Sequence, residues 1–356
     1  MTLARPQSAK TLEPQNPFDW PAFGLDEDVR PALFAAMAAG APAVLATLYD
    51  VVGGAPRGVG AQMLFAGLDM SGFLSGGCVE ADVALHAEAV LKDGAARRIT
   101  YGEGGPADIR LACGSRIDLL LERIAPGDAA ALALQGLTAA RRPAVWLSDG
   151  EVRACVEAGV ADVAPPALRA AQTVALAANQ PMCGHAPTPF AVFRAYAPPL
   201  RLAILGGDPI ALAVSRLAAE MGIEAILIRP KGPEAPPASV SRYIRADVET
   251  ALAEVGPDPW TALAILTHDL DQEHAALKAA LATDAGYVGA LGSRRRIPER
   301  NARLAAAGVP SEAMERVRAP IGLPIGGKSP WEIAVSIIAE IVAETGGKAA
   351  EAISPS

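Results

Sequence analysis

The run from Leu200 to Leu205, closed by Gly206-Gly207 and followed by the helical periodicity of 209–221, constrains this chain more than any other stretch. An apolar segment of that length ending at glycines reads as a strand buried on both faces, and a helix entered directly from it crosses back over the sheet. The pattern recurs: Glu224 to Ile228, Leu263 to Leu266 and Ala285 to Leu291 read as further strands, and 271–282 and 331–344 as further helices. Strands alternating with helices of this length predict a right-handed, doubly wound parallel sheet, a Rossmann-like domain over residues 198–347.

The first half reads as a mixed α/β domain. A helix at 29–39 ends at Gly40 and Pro42, and Ala43 to Tyr49 is a buried strand. A glycine-rich loop (52–61), a strand (62–66), a helix (79–92) and strands at 97–101 and 116–124 follow. Beyond them the pattern predicts a helix at 129–141, strands at 144–147 and 152–157 around Asp149-Gly150, and a second helix-like run. A proline-rich linker carrying Pro181, Pro187, Pro189, Pro198 and Pro199 is expected at the boundary between the halves. The chain is thus α/β, divided into an extension (1–28), a glycine/cysteine domain with a middle region (29–197), the Rossmann-like domain and a tail (348–356).

The 356 residues are half hydrophobic and carry a formal charge of −8, which argues against a nucleic-acid or membrane-surface binder. No apolar run reaches the ~18 residues that span a bilayer. The first twenty residues hold no hydrophobic segment of signal-peptide type, and the cysteine usage makes the reducing cytoplasm the expected compartment. Cys78, Cys113, Cys155 and Cys183 are widely spaced, without a C-x-x-C pair or clustered histidines, so neither a structural zinc site nor a disulfide framework is expected.

The most chemical segment is Ser75-Gly76-Gly77-Cys78-Val79-Glu80. Two glycines form a tight turn, and a thiol with free backbone N–H groups follows at the first turn of a helix, a place that favours anions and thiolate chemistry. A small buried cysteine beside an ordinary turn is the plainer reading. In the second half, Gly206-Gly207-Asp208-Pro209-Ile210-Ala211 has the strand, first glycine and closing alanine of a dinucleotide fingerprint. Asp208, however, stands where the second glycine admits the pyrophosphate, and Arg229-Pro230-Lys231 replaces the acidic residue after the second strand. NAD(P) is therefore not an expected cofactor.

Thr267-His268-Asp269-Leu270-Asp271 follows an apolar strand; His268 is a candidate acid/base, or the segment merely caps the next helix. Gly292-Ser293-Arg294, followed by two more arginines, suits a phosphate or carboxylate, or is a solvated basic face. Lys328-Ser329 lacks the upstream glycine of a phosphate loop and reads instead as a helix start, with Ser329 as N-cap, Pro330 at the first position and Glu332 at the third.

In order and spacing these segments resemble the XdhC/CoxI family of molybdenum-cofactor maturation proteins. The matching blocks are Gly53-Gly54-Ala55-Pro56-Arg57 with Gly60-Ala61, Ser75 to Glu80, Thr267-His268-Asp269, Gly289 to Arg295, and Pro320-Ile321-Gly322-Leu323 with Glu332 to Ile337. The resemblance implies a cytoplasmic accessory factor that binds the molybdenum cofactor (molybdopterin) as cargo. It assists sulfuration with a cysteine desulfurase and delivers the cargo to a xanthine dehydrogenase-like or carbon monoxide dehydrogenase-like apoenzyme. A homodimer is implied, and a non-catalytic role rather than an enzyme. Arg57, Gly76, Gly77, Cys78, Glu80, Cys113, His268, Asp269, Gly292, Ser293 and Arg294 are then the expected cofactor contacts, with Cys78 the candidate thiol facing molybdenum or sulfur. The alternatives are an NAD(P)-dependent oxidoreductase using the Rossmann-like half with His268 as acid/base, and a sulfur-transfer enzyme carrying sulfur on Cys78.

Overall fold

A computed structural model describes Phe18 and residues 21–105, 111, 114, 116–161, 163–177 and 183–351. Cys113, Ser115 and Pro181 lie outside the described residues. In chain order the first half comprises α1 (Arg30–Ala38), β1 (Ala43–Val52), β2 (Gln62–Ala66), β3 (Asp69–Gly72), α2 (Glu80–Asp93), β4 (Arg97–Tyr101), β5 (Arg116–Ile124), α3 (Ala129–Ala139), β6 (Ala144–Ser148), β7 (Arg153–Glu157), α4 (Arg169–Leu176), β8 (Cys183–Pro187) and β9 (Phe190–Tyr196). The second half comprises β10 (Arg201–Leu205), α5 (Pro209–Glu220), β11 (Glu224–Ile228), β12 (Arg242–Ile244), α6 (Val248–Val255), β13 (Thr261–Ile265), α7 (Leu270–Leu281), β14 (Tyr287–Ala290), α8 (Ile297–Ala306), α9 (Ser311–Glu315), β15 (Val317–Arg318) and α10 (Pro330–Glu351).

The described strands form three sheets. The first is antiparallel, in the order β3-β2-β1-β5-β4, and the third is parallel, β12-β11-β10-β13-β14-β15. The order of the third sheet reverses between β10 and β13, as the alternation of strands and helices predicts. Its faces are covered by α6, α7 and α8 on one side and α5 and α10 on the other.

The second sheet, β7-β6-β9-β8, corrects the sequence reading. Most of the expected proline-rich linker is the β8–β9 hairpin: Pro187 ends an edge strand, where a missing N–H is tolerated, and Pro189 sits in the turn. Val192, Phe193 and Tyr196 of β9 are all at most 5% exposed. Each such burial contributes roughly 1.5–3 kcal/mol, which an exposed linker would forgo. Trp146 and Tyr196 share a core with β1, α1 and α3, and Cys183 packs on Leu120 of β5, so the first two sheets form one body. The expected extension is also partly folded: a 3-10 turn at Ala22–Leu25 lays Phe23 on the first core.

Candidate functional site

The strand registers gather the first half's chemical segments at one end of the first sheet. Gly72 of β3 lies opposite Met63 of β2, so the turn 73–79 leaves the sheet where the loop 53–61 enters it. Arg116 opposes Val52 and Tyr101 pairs with Ile117, so the segment between β4 and β5 begins at that same end.

Within the turn, Glu80 is 1% exposed and works inward. Its carboxylate accepts hydrogen bonds from Leu74 N (3.2 Å), Ser75 N (2.6 Å), Ser75 Oγ (2.7 Å) and Val79 N (3.3 Å). Ser75 Oγ in turn accepts from Cys78 N at 3.0 Å and Val79 N at 3.3 Å. The N–H groups of Cys78 and Val79 are thus already taken, and Glu80 builds the turn instead of facing outward. Gly77 has φ +92°, and a side chain at Gly76 or Gly77 would meet no heavy atom within 4 Å. The turn therefore presents an open glycine face with the exposed thiol of Cys78 beside it. Arg57, from the loop 53–61, is ion-paired with Glu27.

The second half holds a crevice of about 340 Å³ at the carboxyl ends of β10, β11 and β13. Asp208 caps α5 by accepting from Ala211 N at 2.9 Å, and His268 Nε2 lies 3.3 Å from its other oxygen. Arg229 lies across the glycine turn, where a Cβ on Gly207 would stand 2.5 Å from its Nε. Asp269 caps α7, accepting from Asp271 N and Gln272 N, the plainer of its two readings. Gly292 (φ +135°) backs onto Arg300, which with Arg296 neutralises the buried Glu273 at 2.8 and 3.1 Å. Ser293 and Arg294 are exposed.

Between the halves lies a larger cleft, about 700 Å³, walled by the loop 56–62, the end of β9, and residues of the Rossmann-like half. Those last residues include Leu200, Ile223 and Trp260, each immediately before β10, β11 or β13. The cleft therefore meets the amino ends of the parallel strands, whereas the crevice lies at their carboxyl ends. A five-residue strand spans about 16 Å. Arg57 and the His268/Asp269/Gly292–Arg294 group thus belong to two places, not to the single site that the sequence reading drew. The cleft residues Arg194 and Tyr196 escape that reading because β9 falls in its proline-rich linker, which leaves no pattern to mark them. Among the described residues no cluster of three or more His, Cys, Asp or Glu side chains is arranged to hold a metal ion, and no helix is long and apolar enough to cross a membrane.

Comparison with known proteins bears on both halves. The XdhC and CoxI family pattern matches residues 36–102, and the XdhC Rossmann domain matches residues 202–341. The molybdenum cofactor insertion chaperone PaoD of Escherichia coli is 32% identical over 308 residues, covering 86% of this chain and 84% of PaoD. A Bacillus subtilis protein described as a probable xanthine dehydrogenase subunit is 27% identical over 84% of this chain and 92% of its own length. A crystal structure described as a xanthine dehydrogenase from Bacillus halodurans shares the fold, with a TM-score of 0.69 and 22% identity over 90% of this chain and 96% of that one. With both halves matched in order and a relative aligned across most of its length, the chain belongs to the XdhC and CoxI family.

Proposed function

We propose that this chain is a molybdenum-cofactor-binding maturation factor. It holds the cofactor as cargo at the loop end of the first sheet, assists sulfuration together with a cysteine desulfurase, and hands the cargo to a xanthine dehydrogenase-like or carbon monoxide dehydrogenase-like apoenzyme. It works in the cytoplasm as a homodimer and is not itself an enzyme. The observation that carries this reading is the convergence of the Cys78 turn and the Arg57 loop at one sheet end, with the thiol exposed on an open glycine face. The relative named as a molybdenum cofactor insertion chaperone supports it.

The residues suit the cargo. A soft thiolate matches molybdenum or its terminal sulfur, and a guanidinium matches the phosphate of the pterin. An oxidoreductase reading is disfavoured by Asp208 and Arg229, which occupy the turn where a pyrophosphate would sit. Anaerobic calorimetry with intact cofactor tests the proposal. Wild type binds it, Cys78→Ala weakens binding at least tenfold, and Asp208→Ala leaves it unchanged; failure of wild type to bind would sink the reading. Sulfur transfer through Cys78 is the second reading, favoured by the exposed thiol. Mass spectrometry after incubation with a desulfurase and cysteine then finds a persulfide on Cys78, and an unmodified thiol assigns the residue to cargo contact alone.

A further inference from the structure

A surface helix buries one face and turns polar residues to water, and α10 breaks that rule. Its core face is Ala334, Ile337, Ile338 and Ile341. On the opposite arc Trp331, Val335 and Val342 are 52%, 49% and 43% exposed, and Ala339 and Gly346 complete the same stripe. α5 lies alongside and parallel: Pro209 and Pro330 share a groove of about 460 Å³ at one end, and Met221 and Val342 share the inter-half cleft at the other. Leu212 of α5, 38% exposed, extends the apolar surface beside Trp331.

The stripe is complementary to itself. Trp331 and Gly346, and Val335 and Val342, stand at equal distances from a midpoint between Ile338 and Ala339. Two copies of α10 laid antiparallel about that midpoint set Val335 on Val342 and the large Trp331 over the bare Gly346, twice over. A Cβ on Gly346 would meet no heavy atom within 4 Å, so the seat is open. The charges agree. Arg216 and Glu220, one turn apart on the exposed face of α5, form no ion pair among the described residues. The two-fold that reverses α10 also reverses α5, and it brings Arg216 of each copy against Glu220 of the other.

We infer that the outer face of α5 and α10 is an isologous interface with a second copy of this chain, with Trp331 as its anchor and the Arg216–Glu220 pairs as its rim. Two helices about 22 Å long and about 10 Å apart offer on the order of 500 Å² per copy, roughly 1,000 Å² in total. That is the lower limit of a specific interface, so association depends on concentration. The inference rests on the homodimer of the proposed function, whose contact face it locates, and is independent of cofactor binding.

Sedimentation velocity of the full chain over a range of concentrations tests the interface. Wild type sediments as a reversible dimer, and Trp331→Asp and Arg216→Glu each raise its dissociation constant at least tenfold. Gly346→Leu does the same: its side chain meets nothing in its own copy but fills the Trp331 seat, so this variant folds and reports on the contact alone. Combining Arg216→Glu with Glu220→Arg restores wild-type association. A dimer unchanged in Trp331→Asp and Gly346→Leu overturns this face and leaves the homodimer standing. A monomeric wild type overturns both, and if Trp331→Asp then loses binding to the molybdoenzyme apoprotein, the face belongs to that partner. Cofactor binding, read separately by anaerobic calorimetry, stands or falls without regard to these results.

Discussion

Four hydrogen bonds converge on one buried carboxylate, and they make Glu80 the residue on which the shape of the Cys78 turn depends. Replacing it with alanine leaves the donors of Leu74, Ser75 and Val79 without their acceptor. Glu80→Ala therefore lowers stability by about 2–3 kcal/mol, read as a shift in the urea unfolding midpoint. The sequence placed Glu80 correctly at the start of α2 but not its direction, because a glutamate entering a helix looks the same whether it points into or out of the fold. The cysteines differ in the same way. Cys78 is exposed, whereas burial pushes the thiols of Cys155 and Cys183 up to about 12. In the native protein iodoacetamide alkylates Cys78 while Cys155 and Cys183 remain unmodified until denaturant is added, which peptide mapping measures. The fold holds the protons of those two thiols to higher pH than the unfolded chain, whose thiols titrate near 9.0. Their contribution to stability is complete below pH 9 and lost as pH rises towards 12, so the melting temperature falls over that window.

At the scale of elements, capping was the most legible feature. Ser329, Pro330 and Glu332 read as a helix start, and Glu332 accepts from Ser329 N at 2.9 Å while Ser329 Oγ accepts from Glu332 N at 3.3 Å. Spacing suffices there because a cap is local. The Pro320-Ile321-Gly322-Leu323 motif needed the structure to explain it. Gly322 has φ +98°, and a Cβ on it would collide with Ser336 Oγ, whose hydroxyl donates to the carbonyl of Leu323 at 2.5 Å. Its N–H donates to Glu340 at 2.8 Å, and Glu340 also receives the Tyr287 hydroxyl, so the motif ties α10 to β14. Gly322→Ala combines a left-handed backbone with that clash and costs more than about 1–2 kcal/mol, measured by denaturant titration. Asp208 also acts at this scale: Asp208→Ala removes the α5 cap and costs about 0.5–2 kcal/mol. The β8–β9 hairpin was illegible because its prolines lie at the edge and the turn, where they interrupt the sequence pattern without interrupting the sheet.

At the scale of the molecule, the alternation of the second half sufficed to read the parallel sheet, but nothing in the sequence shows how the halves meet. That junction is long-range: Arg141, just beyond α3, reaches Asp258 at 2.6 and 3.0 Å and the carbonyl of Pro199 at 3.0 Å, across 117 residues of chain for the carboxylate. Burial opposes ionisation of Asp258, yet the hydrogen bonds from Arg141 and Thr261 outweigh it and hold its carboxyl below the ordinary 3.8. A depressed carboxyl contributes stability that is complete above the unfolded value and lost as pH falls through the folded one. Arg141→Ala therefore costs about 2 kcal/mol at neutral pH, and the gap from wild type narrows as pH drops below about 3.8. Calorimetric scans of both proteins across pH measure that gap.

The carboxyl-end crevice and the amino-end cleft flank the same parallel strands. Ligands at the two poles therefore do not compete for space: saturating one leaves the other sterically accessible, and any influence between them must be transmitted through the sheet itself.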